Sequence, residues 1–179
     1  MSNQSWEEVI SAMVSDGPTL TAAAEALLVP DVVIPTGYMY PGRTLRAHLW
    51  GKASSAVTTP GTLQIRVRWG GLAGVLLLDS GAMTQRALSV ATNESWELDF
   101  EIICRSIGTT GTFLSAGHMN RRNQENAAAT NSTPDMLPVS ANAVVSVDTT
   151  ISKNLSITAT PSLSTASITA LTYTLEATN

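Results

Sequence analysis

Between Trp96 and Arg105 apolar and charged residues alternate: Trp96, Leu98, Phe100, Ile102 and Cys104 share one parity, while Glu97, Asp99, Glu101 and Arg105 hold most of the other. A period of two puts each set on its own face of an extended chain, so this segment reads as a long strand with one buried and one wet side. The pattern recurs. Leu63, Ile65, Val67 and Trp69 alternate with Gln64, Arg66 and Arg68 up to Gly70-Gly71, and Leu45, Ala47 and Leu49 alternate with Arg46, His48 and Trp50. Residues 31–34, 112–116, 144–149, 155–160 and 167–176 add β-rich runs, the last with Leu171, Tyr173 and Leu175 facing inwards. The apolar run 75–78 reads as a strand buried on both faces, closed by the turn Asp79-Ser80-Gly81. Eight or so short strands, with no helical pattern between them, predict an all-β fold, an antiparallel β-sandwich or jelly roll, and exclude a βαβ fold.

Only the start of the chain carries a helical pattern. Ser5 and Glu8 have capping-box spacing, Trp6, Val9, Ile10, Met13 and Val14 fall on one helical face, and Asp16-Gly17-Pro18 stops the run. The expectation is a short amphipathic helix, docked on its own sheet or reaching a neighbouring subunit as an arm. Residues 21–29, between Pro18 and Pro30, lean towards extended structure. The chain therefore divides into an N-terminal helix and extended arm (1–30) and a single sandwich domain (31–179), with residues 120–138 as a long polar loop.

Ten basic against 14 acidic residues, a net charge of −4 and no basic cluster exclude nucleic acid as a main partner. Charged residues make up 13% of the 179-residue chain, about half the usual share, and Ser and Thr about a quarter. Such hydroxyl-rich strands meet a copy of themselves with little charge desolvation. The single Cys104 forms no intrachain disulfide, and no stretch is apolar enough to span a bilayer. The expectation is a protein made in a cytoplasm, with no membrane partner.

Few residues suggest chemistry. His48 and His118 lie far apart in the sequence, without the short spacing that presents two ligands to one metal, so no metal site is expected. Cys104 has inward parity and reads as a buried small hydrophobe. Glu97, Asp99 and Glu101 have the spacing of paired catalytic carboxylates, but on the wet face of a strand they read as partners of Arg66 and Arg68 across neighbouring strands. Gly70 to Gly74 opens no helix and is a turn, not a phosphate loop. Catalytic residues and cofactors are accordingly read as none. Tyr38, Tyr40 and Trp50 are candidate surface aromatic contacts, for a sugar or a protein.

The run from Trp96 to Thr112, the segment from Val147 to Thr160 and the closing residues 168–178 resemble virion structural proteins of tailed bacteriophages, as do the Ser5-Trp6-Glu7-Glu8 opening and Pro41-Gly42-Arg43-Thr44-Leu45-Arg46. The resemblance is to jelly-roll capsid cement, or decoration, proteins. It implies a non-enzymatic protein, commonly a homotrimer, that stabilises the phage head by bridging major capsid protein subunits, and it brings no catalytic residues. Tail or surface-spike components and a glycan-binding module for host attachment are the alternatives. In the first reading Trp6, Val9, Ile10, Met13 and Val14 are the candidate assembly contacts.

Overall fold

The alternating segments become strands because each buries its apolar parity against one shared core. The structure, a computed structural model, describes residues 6–56, 61–85, 91–121, 135–138 and 143–178. Its strands are β1 (Glu7–Ala12), β2 (Ala26–Leu27), β3 (Val32–Ile34), β4 (Thr44–Ser55), β5 (Thr62–Trp69), β6 (Val75–Asp79), β7 (Met83–Thr84), β8 (Ala91–Ser106), β9 (Gly111–Arg121), β10 (Asp135–Leu137), β11 (Val145–Val147), β12 (Lys153–Pro161) and β13 (Ser167–Thr178). All pairings are antiparallel. One sheet runs β1-β13-β4-β8-β9-β10, with β11 also on β9; the other runs β2-β12-β5-β6, with β3 also on β12 and β7 on β5.

The core lies between the two sheets. Trp96, Leu98, Phe100, Ile102 and Cys104 of β8 and Leu63, Ile65, Val67 and Trp69 of β5 are buried in one apolar cluster, as their alternation predicts. The Trp69 indole packs edge-on against Phe113 of β9, and its Nε1–H donates to the Asp148 carbonyl at 3.0 Å. Burial pushes the Cys104 thiol up, which keeps it protonated and poorly nucleophilic.

The expected N-terminal helix is a strand. Residues 7–12 pair with β13, the Met13 N–H donates to the Tyr173 carbonyl at 2.9 Å, the Gly17 N–H to the Ala170 carbonyl at 2.8 Å, and Leu20 bridges Ile168. Ser5, the expected cap, lies outside the described residues. A register shift between Val9 and Ser11 explains the misleading spacing. Ile10 and Met13 both pack on the core, three residues apart instead of an even number, because a bulge inserts one residue and turns a strand's period into a helix-like one. The chain then crosses to the other sheet, where β2 and β3 edge β12.

Other corrections have similar causes. A second bulge on β13, between Ala170 and Thr172, leaves Leu171 half-buried while Ile168 and Ala170 before it and Tyr173 and Leu175 after it are buried. In β6 Leu77 and Leu78 are buried, whereas Val75 and Leu76 are exposed at the edge of the sheet. The segment read as a loop from residue 120 begins inside β9 and ends in β10, whose Leu137 is buried; residues 122–134 lie outside the described residues.

Candidate functional site

Three neighbouring strands of the large sheet turn their polar parity outwards in register. Arg46 stands opposite Glu101, His48 opposite Asp99 and Trp50 opposite Glu97 on β4 and β8, and on β9 Ala116, His118 and Asn120 stand opposite Glu101, Asp99 and Glu97. The two histidines of the chain therefore flank one carboxylate. His48 Nδ1 is hydrogen-bonded to Asp99 Oδ1, His118 Nε2 lies 3.5 Å from Asp99 Oδ2, and His48 Nε2 lies 4.0 Å from Glu97 Oε1. A cleft of about 480 Å³ opens over this row, lined by His48, Asp99, His118, Arg46, Glu101 and Thr174 among others. Its floor is low at Ala116, which faces outwards opposite Glu101 and carries only a methyl group.

The acidic row is thus matched within its own sheet. Arg46 Nε donates to Glu101 Oε1 at 2.7 Å, an exposed pair worth about 0.2 to 1 kcal/mol. At the edge of the cleft a hydrogen bond with Glu7, reinforced by burial, raises the Glu176 carboxyl above its ordinary range, since two adjoining carboxylates resist losing both protons.

Arg66 and Arg68 do not face Glu97, Asp99 and Glu101, because β5 belongs to the other sheet. Their partner is Glu25, which receives Arg68 Nε at 2.6 Å, Arg66 Nη1 at 2.9 Å and the buried Thr158 hydroxyl at 2.5 Å; Arg66 also reaches Asp79 at 3.2 Å. The Arg68 hydrogen bond leads in holding the Glu25 carboxyl down at about 2, against the opposing effect of burial. Alternation gave the parity of these arginines correctly; it carries no information on which sheet they join.

The candidate aromatic residues separate into two places. Tyr38 and Tyr40 meet at Arg43, whose guanidinium lies 4.2 Å and 4.6 Å from their ring centroids and 5.0 Å from that of Trp6. Arg43 is buried and donates to the Tyr38 carbonyl at 2.7 Å, and the Tyr38 hydroxyl donates to Glu8 at 2.7 Å. Burial, with the Glu8 hydrogen bond, pushes the Tyr38 hydroxyl up to about 12. Trp50, half exposed, sits instead beside His48, ring centroids 5.1 Å apart. The six residue steps along β4 from Thr44 to Trp50 span about 20 Å, so the three aromatic rings form no single platform. Among the candidate assembly contacts, Ile10 and Met13 pack on the core, while Trp6, Val9 and Val14 are exposed.

The convergence of His48, Asp99 and His118 had no signal in local spacing, since it is made by strand register. No family model matches the chain, and no curated protein matches it either.

Proposed function

We propose that this protein is a non-enzymatic structural component of a tailed-bacteriophage virion, a capsid cement protein of jelly-roll type that bridges major capsid protein subunits as a homotrimer. The strand pairing supports the jelly-roll reading. Antiparallel pairs are nested in the chain at four levels, β1 with β13, β2 and β3 with β12, β4 with β8, and β5 with β6, as in one long ribbon rolled into two sheets. The strands β9 to β11 then extend the large sheet.

The observation that carries the assembly reading is the division of labour on β1. Among the described residues this strand pairs on one side only, with β13, so its other edge offers backbone donors and acceptors to a neighbour, and Val9 on the strand and Val14 just beyond it are exposed. An edge of this kind joins a neighbour by adding strand to strand, with apolar side chains choosing the partner. Many copies on one shell add avidity to a modest single contact.

The test is sedimentation of the free protein followed by binding to emptied phage heads. A trimer that attaches saturably to heads is expected. A monomer that binds host surface glycan and ignores heads would replace this reading with that of an attachment module.

A further inference from the structure

We propose that the row His48–Asp99–His118 is a binding site for a divalent transition-metal ion of the zinc(II) class. The three residues sit on adjacent strands in one register line, with Asp99 in the middle. The outer two strands lie about 9.6 Å apart, a span that two imidazoles leaning over the middle strand bridge to one ion above the carboxylate. Each oxygen of Asp99 faces a ring nitrogen, one from His48 and one from His118, and a turn of the His118 side chain towards the ligand atoms already gathered by His48 and Asp99 brings both imidazoles to one ion.

The donor set selects the ion. Two imidazoles and a carboxylate suit zinc, copper and nickel, and fit calcium or magnesium poorly, because those ions take all-oxygen shells. Glu97 stands within reach as well: ligand atoms of His48, Glu97 and Asp99 lie within 4.8 Å of one another, and Glu97 Oε1 lies 4.0 Å from the ring nitrogen of His48 that Asp99 does not use, so it serves either as a ligand or as the outer contact of the His48 ring. A carboxylate there fixes ring orientation and raises ligand basicity. Access is open, since the side chains of His48, Asp99 and His118 are 41, 32 and 43% exposed along the cleft. Three protein ligands leave a position for water or for a group from a neighbouring molecule. The site does not depend on the virion reading.

The experiment is calorimetric titration of the full chain, carrying no purification tag, with zinc chloride, beside His48→Ala, His118→Ala, Asp99→Asn and Glu97→Gln. One ion per chain at micromolar or tighter affinity is expected. His48→Ala and Asp99→Asn should abolish the heat, and His118→Ala and Glu97→Gln should each weaken binding by at least about tenfold. Copper(II) should quench Trp50 emission through the adjoining His48, and Trp50→Phe should remove that part of the quenching. Thermal unfolding in chelator checks that the variants keep their fold, as expected for half-exposed positions. Affinity no better than millimolar in the wild type, or tight binding that His118→Ala leaves unchanged, overturns the proposal.

Discussion

Trp69 and Phe113 meet edge to face, ring centroids 4.9 Å apart and planes at 85°, and this contact joins the smaller sheet to the larger. Both rings are buried, so neither loses its place without leaving a hole between the sheets. Phe113→Ala is expected to cost about 3 to 5 kcal/mol, measured by denaturant unfolding. Trp69→Phe keeps an aromatic contact but strands the Asp148 carbonyl that Nε1 now serves, and should cost less, about 1 to 3 kcal/mol.

Stability should depend on pH through Glu25. Its carboxyl lies at about 2 in the folded protein against an ordinary 4.5, so the folded state favours the ionised form. The resulting stability is fully present above about pH 4.5 and is lost as the pH falls towards 2, because the unfolded chain takes up the proton first. With the carboxylate mostly shielded, the contribution is about 2 to 3 kcal/mol. Unfolding followed between pH 5 and pH 2 should show the wild type losing about that much relative to Glu25→Gln, which starts less stable and flattens the curve. Parallel curves for the two proteins would assign the acid sensitivity to other carboxylates.

Gly51 of β4 lies where backbone and side chain press closest. A Cβ there would stand 2.1 Å from the Thr169 carbonyl oxygen and 2.4 Å from the Trp96 ring, on two different neighbours, so no single side-chain rotation relieves the clash. Gly51→Ala should destabilise by about 1 to 3 kcal/mol or more, read as a lower denaturation midpoint, because β4 must move away from β13 or from Trp96.

The faces of β4, β5 and β8 were legible in the sequence because each has an unbroken period of two, and burial against a common core obeys that period. The first strand was not, since the bulge at Val9 to Ser11 spaces Ile10 and Met13 as a helix would. Pairing partners were illegible for a different reason. Arg66 and Glu97 lie on equally amphipathic strands, and only the topology sends one to Glu25 and leaves the other beside His48. The meeting of His48 with His118 likewise needs two registers, β4 on β8 after an excursion through the other sheet, and β8 on β9 across a bulge at Cys104 to Ser106. Neither is written in local spacing.

The last prediction separates the two roles of the N-terminal strand. Because residues 7–20 complete the edge of the large sheet, removing residues 1–20 should destabilise the domain and bare the β13 edge, which favours aggregation. Deletion alone therefore cannot distinguish folding from assembly, and point changes can. Ile10→Ser and Met13→Ser touch core-packed side chains and should lower the thermal midpoint, each by about 1 to 3 kcal/mol of stability. Val9→Thr and Val14→Ser alter side chains 59% and 99% exposed and should leave the midpoint within about 0.5 kcal/mol of the wild type. If the strand edge joins neighbours, this second pair should nevertheless weaken trimer formation or attachment to heads, seen as faster dissociation in sedimentation and a lower saturation level on shells. Unchanged assembly in the Val9→Thr and Val14→Ser double variant would confine β1 to closing its own sheet.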